Sequence, residues 1–212
     1  MAKCIIIAAG DFDLKEIKKE EDDLLIVADA GYKNFLKLKN LKKEDIDIVI
    51  GDFDSYSLDK MDLSACTRVI TLNKIKDDSD SFDAVKEGEK AGYTEFYLYG
   101  MLGKRLEHTL SNIGILSYLK NKGKYGCILS NKTKIEILND EIKEYSDKEK
   151  GYISIFPYIG EPIITIKGLK YELDNYKMDY ANPSLGLDNE FIGKVATIKV
   201  KEAMVIAIKT VK

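Results

Sequence analysis

The sequence predicts two domains in series: a doubly wound, mostly parallel α/β domain over residues 1–130 and an antiparallel β-sandwich over residues 131–212. Three observations carry this reading. Up to about residue 130, short β-branched runs alternate with amphipathic stretches of helical period, as β-α units around a parallel sheet require. Several of those runs are apolar at every position, as strands covered on both faces must be. Beyond residue 131 the apolar pattern shifts to period two, with Gly, Pro and Asn between the runs and no convincing helix of three turns.

The strand candidates of the first domain are "KCIIIAA" (3–9), "LLIVAD" (24–29), "DIVIG" (47–51), "RVITL" (68–72), "EFYLYG" (95–100) and "YGCILS" (125–130). Crossover helices are expected in "GYKNFLKLKN", in "SDSFDAVKEGEKAG" and in "RLEHTLSNIGILSYLKNKG". The second starts behind Ser79, an N-cap residue, and stops at Gly92, and the third stops at Gly123. In the second domain "TKIEIL", "GYISIFPYI", "PIITIKGLKYEL", "KVATIKV" and "AMVIAIKTV" read as strands. The charged stretch "NDEIKEYSDKEKG" (139–151) reads as a long solvated turn.

At 212 residues and 45% apolar composition, the chain can fill a real core. Its 36 acidic and 33 basic side chains are intermixed, without the basic footprint of a nucleic-acid binder. Three scattered cysteines and a single histidine argue for reduced thiols and against structural zinc. No apolar run approaches the roughly 20 residues that span a bilayer, and no leader pattern precedes "MAKCIIIAAG", so a cytoplasmic protein with no membrane partner is expected.

Ligands of open parallel sheets bind beyond the carboxyl ends of the strands. There the sequence collects acids: Asp11 and Asp13, then Asp29, then Asp52 and Asp54, then Asp77, Asp78 and Asp80. Two like charges ~4 Å apart repel by about 4 kcal/mol at an effective dielectric of 20, so a convergent set calls for a cation. Carboxylate oxygens without His or Cys suit Mg²⁺, commonly shared with substrate phosphates. The plainer reading of each single Asp is capping or turn chemistry. The tetrapeptide "GDFD" occurs twice, at 10–13 and 51–54. Ending a mid-sheet strand and joined by the Asp77 loop, the second copy is the better placed for a metal, while Asp11 and Asp13 are expected to open a helix, at most flanking the cleft.

A second signal is "YGMLGKRLEHTLSN" (99–112). Gly100 and Gly103 let backbone approach a ligand, the helix start offers free N–H groups to an anion, and Lys104 and Arg105 add positive charge. It lacks Walker A spacing. On that helix Arg105, His108 and Asn112 share one arc, facing the cleft, and Leu106, Leu110 and Ile113 share the arc expected to face the core. His108 is either a general base or a hydrogen-bonded structural residue.

In order, the pieces "ADAGYKNFL", "IGDFDSY", "IKDDSDSFDAV", "GMLGKRLEHTLSNI", "GLKYEL" and "GLDNEF" resemble the thiamine pyrophosphokinase (thiamin diphosphokinase) family, over roughly residues 24–193. The resemblance implies Mg²⁺-dependent transfer of the β,γ-pyrophosphoryl group of ATP to the hydroxyl of thiamine, giving thiamine diphosphate and AMP. It implies a homodimer, each site built by the α/β domain of one subunit and the β-sandwich of the other. By motif position it makes Asp52, Asp54 and Asp77 the metal and catalytic acids. Arg105 joins them on the phosphates. Asp29, Gly31, Asp80, Gly103, Lys104, His108 and Asn112 go to the nucleotide side, and Glu107, Asp188 and Asn189 to the substrate side. Tyr158 and Tyr180 are the candidates for stacking on thiamine, since the chain has no Trp.

Three positions depart from the family pattern: Ala30 for a Gly, Glu107 for an Asp, and Asp188 for a Ser. The residues themselves support a phosphoryl-type transfer, which asks a protein for positioning and charge stabilisation. Asp54 or Asp77 is placed to accept the hydroxyl proton. The other readings are pyrophosphoryl transfer to another alcohol such as a hydroxymethyl pterin, a metal-dependent nuclease, and a non-catalytic nucleotide-binding module.

Overall fold

The computed structural model describes residues 1–54, 61, 67–73, 78–103, 105–182 and 184–211. The chain divides into two compact units, Met1–Asn131 and Lys132–Lys212.

In the first unit, strands β1 (Cys4–Ile7), β2 (Leu24–Ala28), β3 (Ile48–Gly51), β4 (Arg68–Thr71), β5 (Glu95–Tyr99) and β6 (Tyr125–Leu129) pair side by side. Their order is β6-β5-β1-β2-β3-β4, and every pair is parallel. The order reverses between β1 and β5, where a parallel sheet opens a crevice beyond its strand ends. All four residues of β1 are 0% exposed, which explains why its sequence does not alternate. Ile5 and Ile7 join Leu25, Val27, Val49 and Phe53 in one buried cluster. On the strand's other face, helix α2 (Asp80–Lys90) lies so close that a Cβ at Gly88 would fall 2.7 Å from the Cys4 sulfur. Burial, with the Asp47 charge adding, pushes the Cys4 thiol far up, so it behaves as a small hydrophobe.

Helix α2 begins where the sequence places it. The Ser79 hydroxyl accepts the Phe82 N–H at 3.3 Å, and Ala84, Val85 and Gly88 form the buried stripe. Ser79→Ala is expected to cost about 1 kcal/mol, read as a fall of roughly 2–4 °C in the thermal midpoint.

Three expectations for this unit are corrected. No helix follows Asp11 and Asp13. From Lys15 to Asp22 only Ile17 is apolar, so a helix there would have no stripe to bury, and the Asp11 N–H instead bonds the Leu102 carbonyl at 2.7 Å. The helix expected over 31–40 shrinks to one turn, α1 (Tyr32–Phe35). Finally, helix α3 (Leu106–Asn121) leaves Leu106 and Leu110 exposed, at 72% and 60%. Its buried residues begin at Asn112 and run on through Ile113, Leu116 and Leu119, and it packs against β6 and α2.

The second unit holds β7 (Thr133–Asn139), β8 (Ile142–Tyr145), β9 (Tyr152–Ile159), β10 (Ile163–Lys167), β11 (Leu173–Lys177), β12 (Asn189–Glu190), β13 (Ala196–Lys201) and β14 (Met204–Thr210). They pair antiparallel as β12-β9-β14-β7 and as β11-β10-β13-β8. One buried cluster draws on both arrays: Leu138, Ile153, Ile155, Val205 and Ala207 from the first, and Tyr145, Ile164, Ile166, Ile198 and Val200 from the second. Strand β8 lies inside the segment expected as a solvated turn. Only Tyr145 of its four residues is buried, so little apolar alternation marks it, and its backbone is satisfied by β13. Charge on an outer strand of this kind also discourages pairing with other chains.

Candidate active site

A cleft of about 480 Å³ opens beyond the strand ends of the first unit. Ala8, Ala9 and Gly10 line it after β1, Asp29 and Ala30 after β2, Asp52 after β3, and Gly100 and Gly103 after β5. The starts of α2 and α3 complete it with Ser79, Asp80, Ser81, Arg105, His108 and Asn112. The cleft therefore sits at the reversal of strand order between β1 and β5.

Three acids meet in and beside it: carboxylate oxygens of Asp29, Asp52 and Asp54 lie within 4.8 Å of one another. Two unusual backbone conformations bring them there. Asp29 has φ +40° at the end of β2, and Phe53 has φ +56° between the two other acids. Neither is a glycine, so each is held against a local preference of about 1–2 kcal/mol. Phe53 is held by burial, at 8% exposed within the cluster around Val49, Tyr32 and Phe35. With its ring pinned inward, the flanking Asp52 and Asp54 turn together toward Asp29, and the Asp54 N–H donates to Asp52 Oδ1 at 3.2 Å. An all-carboxylate set graded from buried Asp29 to exposed Asp54 fits a hard divalent cation reached from solvent.

The floor is main chain. Ala8 N–H donates to the Tyr99 carbonyl at 2.9 Å, and Gly10 N–H to that of Gly100 at 2.7 Å. These rungs carry the β1–β5 ladder past the strand ends into the cleft. Gly31 closes the adjoining turn, where a Cβ would fall 2.2 Å from the Ile7 carbonyl oxygen. At Gly103, φ +85°, a Cβ would collide with the Asp11 carboxylate. Thus Asp11 packs on the glycine loop through its side chain and bonds it through its N–H, a role unlike that of the second "GDFD".

At the start of α3, Arg105 Nε donates to Glu107 Oε1 at 2.6 Å, both side chains being about two-thirds exposed (66% and 64%). Glu107's own backbone N–H, followed by Arg105, holds its carboxyl below the usual carboxylate range. His108 lies exposed on the rim. Asn112 is buried and donates through Nδ2 to the Met101 carbonyl at 2.8 Å, so it steadies the glycine loop.

In the second unit Asn189 is also committed to backbone. Its Oδ1 accepts Tyr171 N–H at 2.9 Å and its Nδ2 donates to the Tyr171 carbonyl at 2.6 Å. Asp188 is exposed at φ +53°, its N–H on the Ser154 hydroxyl. Tyr180 is exposed and donates to the Pro157 carbonyl at 2.5 Å, while Tyr158 is half-buried. Asp77 and Lys104 lie outside the described residues.

The sequence reading passed over Lys33, Ser81 and the Ala8–Gly10 segment, all of which line the cleft. Three small residues directly after a buried strand were a legible signal. Lys33 carried none, being one lysine among many.

The chain matches the family model "Thiamin pyrophosphokinase, catalytic domain" over residues 15–129 and "Thiamin pyrophosphokinase, vitamin B1 binding domain" over residues 136–205. Its fold is similar to that of thiamine pyrophosphokinase from Bacillus subtilis, at TM-score 0.81 and 22% identity over 99% of both chains. It is also similar to a thiamin pyrophosphokinase family protein from Enterococcus faecalis, at TM-score 0.83 and 21% identity over the whole of both chains. Thiamin pyrophosphokinase from Candida albicans aligns at TM-score 0.75 and 16% identity, over 99% of this chain and 89% of that one. A comparison with curated protein sequences gives no match.

Proposed function

Because the chain belongs to the thiamin pyrophosphokinase family, we propose how its own residues divide the transfer of a pyrophosphoryl group from ATP to the hydroxyl of thiamine. The convergence of Asp29, Asp52 and Asp54 at the strand ends carries the proposal. These carboxylates, with Asp77, would hold Mg²⁺. When bound, Mg²⁺ supplies neutralising charge to the phosphate oxygens. Arg105, on the cleft wall, pairs with those oxygens in exchange for Glu107, a swap eased by the exposure of both side chains. The glycine loop and the N-terminus of α3 give the polyphosphate close main-chain approach.

Thiamine's hydroxyl attacks the β-phosphorus, and its proton passes to Asp54 or Asp77 or to solvent as AMP leaves. A loose transition state asks little more of a base. Asp80, Lys33 and His108 shape the nucleotide side. Asn189 acts on the thiamine side by fixing the loop that presents Asp188.

We read the first unit as a doubly wound α/β domain that carries nucleotide and metal. The second, with one core shared by two antiparallel arrays, is read as a β-sandwich for thiamine binding and dimerisation. A homodimer with sites shared between subunits is supported by Leu106 and Leu110, two neighbouring leucines of α3 left 72% and 60% exposed. A cytoplasmic location agrees with the absence, among the described residues, of any helix long and apolar enough to cross a membrane.

Incubation with ATP, Mg²⁺ and thiamine, read by mass spectrometry, is expected to give thiamine diphosphate and AMP, and none of either once the metal is chelated. ADP with thiamine monophosphate would contradict the reading. AMP formed only with a hydroxymethyl pterin would reassign the acceptor.

A further inference from the structure

We infer that Asn34, at the third position of the single-turn helix α1, is a positioning residue that sets the polyphosphate-facing floor of the cleft; this rests on the nucleotide reading above. Asn34 is 4% exposed and lies 24 to 26 residues along the chain from the groups it holds. Its Nδ2 donates to the Ala8 carbonyl at 2.7 Å and to the Gly10 carbonyl at 2.9 Å. Its Oδ1 accepts from Lys37 Nζ at 2.8 Å, and the same ammonium donates to the Phe12 carbonyl at 3.2 Å. The orientation of the carboxamide follows from chemistry. A carbonyl only accepts and an ammonium only donates, so the amide's nitrogen must face Ala8 and Gly10 and its oxygen must face Lys37.

Ala8 and Gly10 both line the cleft. They are tied on their other side to Tyr99 and Gly100, and the Gly100–Gly103 loop is tied in turn to Asn112 through Met101. Two buried asparagines therefore flank a pair of strand-end loops bonded to each other. Asn34 contributes something more specific than rigidity. It draws the Ala8 and Gly10 carbonyl oxygens onto its own buried amide, and a freed carbonyl that turned into the cleft would repel a polyphosphate. Removing Asn34 frees both acceptors at the place where an anion is to lie, so the loss should fall on ATP and spare thiamine.

Full-length wild type, Asn34→Ala, Asn34→Asp and Lys37→Met proteins are compared by calorimetric titration with Mg-ATP alone and with thiamine alone. Asn34→Asp keeps the side chain's shape and its Lys37 partner but loses both donors, and should weaken ATP binding about tenfold, with thiamine binding changed less than about twofold. Asn34→Ala should do the same, and Lys37→Met should weaken ATP binding about two- to threefold by releasing the amide. Unaltered ATP affinity in a folded Asn34 variant, or equal loss for both ligands, overturns the inference. Should neither Asn34 variant fold, Lys37→Met decides, and wild-type ATP affinity there overturns it. A wild-type chain that bound ATP but released no AMP with thiamine would fail the kinase reading while leaving the role of Asn34 standing.

Discussion

Asp52→Ala is expected to lower thiamine diphosphate formation by about a thousandfold or more, close to 4 kcal/mol of transition-state stabilisation. Asp52 is the central member of the acid set: it supplies an oxygen to the group with Asp29 and Asp54, and it accepts the Asp54 N–H that shapes the turn. Alanine removes a metal-side charge and loosens the placement of Asp54 in one change. Phe53 remains buried, so the thermal midpoint should stay within a few degrees of wild type. Steady-state rates over a range of Mg²⁺ concentrations check this, and the variant's residual rate should need far more metal to saturate. Asp11→Ala is the control. The first "GDFD" bonds the glycine loop through its backbone N–H, which alanine keeps, so its rate should fall no more than about threefold. Near-wild-type turnover in Asp52→Ala would remove the metal site from this account.

Gly100→Ala is expected to cost about 3 kcal/mol of stability and to weaken ATP use as well. Gly100 has φ +66°, and a Cβ there would lie 2.2 Å from the Ala8 carbonyl oxygen. The left-handed backbone costs alanine about 1 kcal/mol, and relieving a clash with main chain that cannot rotate away costs roughly 2 kcal/mol more. The midpoint should fall by roughly 6–12 °C in a scanning experiment, and the KM for ATP should rise as the Ala8–Gly10 segment is pushed from its rungs. An unchanged midpoint would mean that the two loops do not approach so closely in solution.

Much of the architecture was legible because its physical cause is local. The run Cys4–Ile7 is apolar throughout because both its faces are covered, and Ser79 marks a helix start by a hydroxyl acting three residues ahead. What escaped depends on contacts distant in sequence. Strand β8 is drawn into a sheet by β13, which begins some fifty residues later, and its own composition is that of a loop. The Leu106 and Leu110 arc has helical period, but the residues that α3 buries are Asn112, Ile113, Ile115, Leu116, Ser117 and Leu119, a choice made by what the helix packs against and not by its own period. Asp29 and Asp52 were legible as acids after strands, and their gathering follows from parallel topology. The left-handed turns at Asp29 and Phe53, which aim them, carry no glycine to announce them. Asn34 was hidden for a related reason: its partners are carbonyls, which every residue possesses, so no motif distinguishes them.

A floor built of peptide groups changes how this cleft responds to sequence drift. Leu102 joins the two loops through its backbone carbonyl, which accepts the Asp11 N–H, so its side chain can be exchanged with little effect on that bond. Sensitivity is concentrated where a Cβ cannot be admitted, as at Gly31 and Gly100, and at the two asparagines that flank the loops. A site of this kind can keep its shape in lineages that share little else, and a change of substrate would have to come through the rim, at Lys33, Arg105 or His108.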